Sequence, residues 1–206
     1  MHREFAGESL DGATALADRL GMVSPRTADA ERKAPDLLPK QLEAAWEAFT
    51  DSVPEDVADE ILGAARDTVP LAAALIDAGP QTLIHGDLRD DNLGLEGDRV
   101  ILLDWDLATA GTPTVELAWY LCHDTWRIDA GHDEIEADFR EAEGDLLDPR
   151  EVELGMLSGL VMYGWIFGHS LRVHPDPAEH EWARAELGWW MPRTRAALEA
   201  VGGMPR

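Results

Sequence analysis

The sequence predicts an α+β chain that is predominantly α-helical, with a small β-hairpin carrying its most reactive polar residues. Three observations support this. Apolar residues recur at helical spacing through most of the 206 residues. The period changes to short apolar runs only between about residues 82 and 103. Those runs are interrupted by a cluster of Asp, Asn and Gly, the residues that turns prefer. At 45% hydrophobic residues the chain has enough apolar side chains for a real core.

The elements follow in order. Residues 13–20 read as a helix that stops at Gly21. Residues 22–36, polar and holding Pro25 and Pro35, read as a loop. From Pro39 to Phe49 a helical face reappears through Leu42, Ala45, Trp46 and Phe49. A further helix is expected from Pro54 to Ala78, divided at Pro70 and ended by Gly79-Pro80. Residues 82–85, 93–95 and 99–103 are strand candidates, and Glu96-Gly97-Asp98 joins the last two into a hairpin. After Gly111-Thr112-Pro113 a helix should run to about Trp126. A short helix is expected near Ile135–Ala142. A long one starts with Asp148 as N-cap, Pro149 at N1 and Glu151 at N3, and runs to about Arg172. Two final helices, 178–190 and 193–200, should be separated at Pro192.

Composition excludes several function classes. The formal net charge of −24 disfavours nucleic acid and anionic membrane surfaces, which need a basic footprint, and permits a cationic ligand. Cys122 is the single cysteine, so no disulfide forms within the chain and a reducing, cytoplasmic setting is expected. The N-terminus lacks the apolar stretch of a signal peptide. The longest apolar run, Leu154–Gly168, is 15 residues. It falls short of the ~20 that span a bilayer, so its Gly155, Gly159, Gly164 and Gly168 point to a buried helix closely approached by neighbours rather than to a membrane.

The chemistry is concentrated in Leu83-Ile84-His85-Gly86-Asp87-Leu88-Arg89-Asp90-Asp91-Asn92, followed by Val100-Ile101-Leu102-Leu103-Asp104-Trp105-Asp106. Strand, His-x-Asp, Asn, hairpin, strand and Asp is an order that suits phosphoryl transfer. Asp87 would take the proton of an attacking hydroxyl, and Arg89 would reach the transferring phosphoryl group. Asn92 offers a neutral and Asp104 an anionic oxygen ligand for Mg²⁺. His85 is placed with Asn92 and Asp104 on the cofactor side, bracing the loop by hydrogen bonds. Asp90 and Asp91 read as solvated turn, and Asp106 as either a further contact or surface. His123, Asp124 and His132 match no metal-ligand spacing, nor do His169, His174 and His180.

Together with Gly111-Thr112-Pro113-Thr114-Val115-Glu116-Leu117-Ala118, these residues resemble the aminoglycoside phosphotransferase and choline kinase family. The resemblance covers about residues 83–119. It implies a protein-kinase-like fold, Asp87 as catalytic base, Asn92 and Asp104 as Mg²⁺ ligands, and ATP or GTP as phosphoryl donor. It also implies a small-molecule hydroxyl acceptor, cationic in some members. Glu116 stands where the family has a buttressing Asp, one methylene shorter.

The resemblance further implies a nucleotide-gripping N-terminal lobe with a strand-borne Lys, and residues 1–80 supply none. Lys33 and Lys40 are the only lysines. Gly7 to Thr14 mimics a P-loop but has Ala13 in place of its Lys. The expected organisation is therefore one kinase-like C-terminal lobe over residues 1–206. Residues 1–80 form a helical lead, 81–128 the catalytic and metal loops with the following helix, and 129–206 a helical acceptor side. Such a chain should be a weak or incomplete phosphotransferase; the alternative is a non-catalytic, pseudokinase-like binding module or a truncated fragment. The uncovered cleft would favour self-association or a partner lobe.

Overall fold

The computed structural model describes residues 1–8, 10–31, 37–123 and 129–203. Lys33, Pro35, Asp124 and Trp126 lie outside these described residues. Among the described residues helices dominate, and the β strands form two small two-stranded sheets.

Among the described residues six helices precede the first strand: α1 (His2–Phe5), α2 (Leu16–Gly21), α3 (Pro25–Glu31), α4 (Leu37–Ser52), α5 (Glu55–Arg66) and α6 (Val69–Ala78). The expected break between α5 and α6 occurs at Asp67-Thr68, with Pro70 in the first turn of α6. Two expectations fail here. Residues 13–15 are not helical, because Thr14 pairs with Thr109 in a parallel bridge. The segment after Pro25 is not loop: Pro25 opens α3, and the Ser24 hydroxyl caps it by accepting from the Thr27 amide at 3.2 Å. Proline is as well suited to a first helical turn as to a loop.

Strands β1 (Thr82–Ile84), β2 (Leu93–Glu96), β3 (Arg99–Leu102) and β4 (Thr109–Gly111) follow. The β2–β3 hairpin has the expected register, Leu93 opposite Leu102 and Glu96 opposite Arg99. Gly97 supplies the positive φ, 63°, that its tight turn needs. β4 was not expected. It is three residues without apolar alternation, and it is a strand only because β1 pairs with it, Thr82 opposite Gly111.

The remaining helices are α7 (Pro113–His123), α8 (His132–Glu143), α9 (Pro149–Gly168) and α10 (Pro177–Val201). Asp148 caps α9 by accepting from the Arg150 amide at 2.8 Å. Glu151, at N3 of the expected capping box, is fully buried and accepts from the Thr114 hydroxyl. Burial pushes the Glu151 carboxyl up, while the Thr114 hydroxyl at 3.1 Å offsets part of that. α9 ends at Gly168 and continues as one wide π-type turn, His169–Val173. The predicted division at Pro192 does not occur, and α10 runs through it. Trp190, Thr194 and Ala197 are buried on both sides of the proline, so packing outweighs the local cost.

α9 is the axis of the core. It packs against α7, α4, α10 and α6. Its glycines admit those neighbours. A Cβ on Gly155 would lie 2.4 Å from Thr114 Oγ1, and one on Gly159 would lie 3.1 Å from Ala118. One on Gly164 would lie 3.2 Å from the Phe49 ring, and one on Gly168 would lie 1.9 Å from the Ala45 carbonyl oxygen. The helix is long and apolar enough to cross a membrane, yet 78% of its apolar window is buried within the protein.

Candidate active site

The segment from His85 to Asn92 leaves β1 and returns to β2, so both ends are held by strands. Gly86 makes the turn possible. Its φ is +81°, and a Cβ there would lie 2.0 Å from the Leu107 carbonyl oxygen. Arg89 is extended, and residues 90–92 form a single 3-10 turn that delivers Asn92 into the interior.

Two of the expected residues are in direct contact, and a third, the exposed Asp104, follows in the segment paired with them. The Asn92 side-chain amide donates to the Asp87 carbonyl at 2.8 Å and to its carboxylate at 3.0 Å. That assigns the nitrogen and leaves the Asn92 Oδ1 as the available ligand atom. The Leu103 amide donates to the Asn92 carbonyl at 2.9 Å, so Asp104 follows directly beside Asn92. Asp104 is the single non-glycine among the described residues with positive φ, 60°. Backbone strain of this kind collects at functional sites. Arg89 lies 3.5 Å from the Asp87 carboxylate and is partly exposed. Asp106 is exposed, and Asp90 accepts from the Tyr120 hydroxyl at 3.3 Å.

His85 has a narrower part than a place on the cofactor side would give it. The ring is fully buried. Its Nε2 bonds the Leu103 carbonyl at 2.7 Å, and its Nδ1 accepts from the Asp87 amide at 3.3 Å. The ring also packs on Trp105, with centroids 4.7 Å apart. With both nitrogens engaged, His85 ties the Asp87 loop to the segment bearing Asp104 and has no free atom for a cofactor.

Glu116 makes the brace that its longer side chain left open. Oε1 accepts from the His85 amide at 2.6 Å and the Gly86 amide at 3.2 Å. Its other oxygen meets His2 Nε2 at 2.9 Å, and His2 Nδ1 meets Glu143 at 2.7 Å. Burial alone would lower the His2 pKa, but the two carboxylates outweigh it and hold the imidazolium above its ordinary value near 6.5. A raised folded pKa stabilises fully below the unfolded value and is lost as pH rises through the folded one. Wild-type stability should therefore decline across that window. In His2→Gln the decline should be absent, as read by urea midpoints measured from pH 5.5 to 8.5.

Sequence reasoning missed His2 and also Arg19. Arg19 is 2% exposed. Its guanidinium donates to the Gly86 carbonyl from Nε at 2.7 Å and again from Nη2, and to the Tyr163 hydroxyl at 3.0 Å. It lies 4.8 Å from the centre of the Trp119 ring. No sequence signal marks either residue, since each contact joins segments more than sixty residues apart.

Among the described residues, other candidate histidines are engaged in structural contacts. His132 pairs with Glu186 at 2.8 Å and stacks on Trp189, while His123 faces Tyr163. Among the described residues no group of three or more His, Cys, Asp or Glu is arranged to hold a metal. A Mg²⁺ that keeps its waters and takes one carboxylate, one amide oxygen and nucleotide phosphates does not need such a group. Asp104 and Asn92 Oδ1 fit that chemistry. In the acidic stretch, Asp133 pairs with Arg193, Glu136 with Arg140 and Glu143 with His2.

The family model described as the phosphotransferase enzyme family matches residues 5–154. No curated protein matches the chain. Similar solved structures include an aminoglycoside phosphotransferase from Alicyclobacillus acidocaldarius, 19% identical with a TM-score of 0.40, covering 88% of this chain and 54% of that one. Another is a choline kinase from Cryptosporidium parvum, 12% identical with a TM-score of 0.39, covering 96% of this chain and 72% of that one. The chain thus spans about half the length of the first of these structures.

Proposed function

The chain belongs to the phosphotransferase enzyme family, and from that premise we propose that it transfers the γ-phosphoryl group of ATP or GTP to the hydroxyl of a small molecule. The observation that supports the reading is the Asn92 amide bond to the Asp87 carboxylate, with Leu103, the residue before Asp104, paired to the Asn92 backbone. Residues 1–206 act as a kinase-like C-terminal lobe, in the three segments expected from the sequence.

Asp87 orients the acceptor hydroxyl and takes its proton as the new O–P bond forms. Asn92 holds the Asp87 carboxylate in one rotamer through its amide nitrogen. Asn92 Oδ1 and Asp104 would hold Mg²⁺, which supplies charge neutralisation on the nucleotide phosphates. Arg89, beside Asp87 and partly exposed, would meet phosphoryl oxygens. The hairpin next to the site exposes Leu95, Val100 and Leu103. In this reading that face receives the nucleotide and whatever covers it, and otherwise favours self-association. The net charge of −24 fits a cationic acceptor, a cytoplasmic location, and no nucleic-acid or membrane partner.

Mg-ATP at ten times its dissociation constant should stabilise the chain by about 1.4 kcal/mol. That corresponds to a Tm rise of about 3 °C. Transfer should appear against a panel of amino alcohols and aminoglycosides. A Tm rise without transfer would indicate a binding module. No rise at millimolar nucleotide would reject the reading for this chain.

A further inference from the structure

The peptide groups on both sides of Gly86 are gripped from outside the loop. Glu116 takes the His85 and Gly86 amide hydrogens, and His2 holds the far oxygen of that carboxylate. Arg19 takes the Gly86 carbonyl from the opposite side with two N–H groups. Gly86 itself, at φ +81°, offers no intrinsic preference for this conformation over others. The direction of the next residue, Asp87, therefore depends on these contacts.

Arg19 is an expensive residue to place there. Among the described residues no carboxylate lies within ion-pair distance of it. Its remaining contacts are the Tyr163 hydroxyl, the Met22 and Met162 sulfurs at 3.7 and 3.5 Å, and the Trp119 face. A buried cation without a direct ion-pair partner is costly, and an apolar side chain would fill the space at lower cost. Folding alone does not account for a guanidinium whose strongest bonds go to one loop carbonyl.

We propose that Arg19 and His2 are positioning residues of the transfer site: Arg19 fixes the Gly86 carbonyl, His2 fixes Glu116 on the amides, and together they set where Asp87 points. The proposal rests on the phosphotransferase reading, since a displacement of about 1 Å at a reacting group can cost about a hundredfold in rate. It makes the leading segment, which carries none of the motif, part of the machinery. The charged groups facing His2 are Glu116 from α7 and Glu143 from α8, while β1 contributes the Thr82 hydroxyl to the His2 carbonyl at 2.6 Å. Burial lowers the His2 pKa but these carboxylates outweigh it and raise it on balance, so the amide side of the grip should weaken as pH rises through it.

Amide hydrogen exchange on the full chain reads the grip without any need for activity. Arg19→Met should lower protection at His85, Gly86 and Asp87 at least tenfold, with α9 amides unchanged. Arg19→Lys should not restore it, because one ammonium cannot reach both the Gly86 carbonyl and the Tyr163 hydroxyl. It also serves as the deciding variant if Arg19→Met fails to fold. Wild-type Gly86 protection should fall as pH rises above the His2 pKa, and His2→Gln should be flat over the same range. With Mg-ATP and an acceptor, Arg19→Lys should lose at least tenfold in kcat, with the nucleotide KM held within twofold. Wild-type protection at the loop in both Arg19→Lys and His2→Gln would overturn the proposal, as would a loss shared equally by α9. Loosened loop amides in a chain whose wild type transfers to no acceptor would support the grip and reject the transferase reading.

Discussion

Asp87→Asn should reduce phosphoryl transfer by about a hundredfold to ten-thousandfold, the range associated with removing a general base, while leaving the fold intact. The substitution is nearly isosteric. Asp87 accepts from Asn92 Nδ2 at 3.0 Å through one carboxylate oxygen, and an Asn carbonyl oxygen can keep that bond. What is lost is the second acceptor oxygen and the negative charge. The neighbouring Arg89 pair at 3.5 Å is partly exposed, so its loss should cost stability about 0–1 kcal/mol at most. Melting curves of the variant should therefore overlay the wild type, and a radiolabelled transfer assay should show the deficit in kcat rather than in nucleotide KM. Transfer at the wild-type rate would remove Asp87 from the role of base and leave Asp104 as the remaining carboxylate to examine.

Gly168→Ala should be among the most damaging single-methyl changes to the fold. The added Cβ would stand 1.9 Å from the Ala45 carbonyl oxygen and 2.7 Å from the Phe49 amide nitrogen. Both atoms are backbone of α4, so no rotamer change relieves the clash. α4 and α9 must separate, and the buried contacts of Trp46, Phe49 and Phe167 loosen with them. Overpacking of this kind costs about 3 kcal/mol or more, equivalent to a Tm fall of about 6–12 °C for a chain of this size. Gly188→Ala is the control. It is exposed on α10, a Cβ there meets nothing within 4 Å, and it should stabilise by about 0.4–1 kcal/mol. Denaturant melts of the two variants should move in opposite directions.

The same contrast explains what could be read from the chain. The start of α9 was legible because Asp148 and Pro149 act on the residues next to them. The β2–β3 hairpin was legible because Gly97 and the flanking apolar runs lie within ten residues. The apolar glycine stripe lies in a buried helix, as its spacing argued; the shortness of the apolar run was no guide, since the whole helix is long enough to cross a membrane. β4 was invisible because three small residues become a strand only opposite β1. α3 was missed because Pro25 serves a helix start as readily as a loop. Pro192 misled because the cost of a helix-interior proline is local, while the burial of Trp190 and Ala197 that outweighs it is not.

At the site, the sequence by itself determined which side chains are available and in what order. Asp87, Arg89, Asn92 and Asp104 follow from spacing between two short strands, and so does the family they resemble. Only the tertiary structure decided how the loop is held. It turned His85 inward as a tie between segments, and completed the Glu116 brace with His2. It also set a buried Arg19 against Gly86. The physical reason is range. Turn, cap and strand preferences act over a few residues and are written in neighbouring letters. A buried hydrogen bond between Arg19 and Gly86, or between His2 and Glu116, exists only after the intervening chain has folded around the core that brings the partners together.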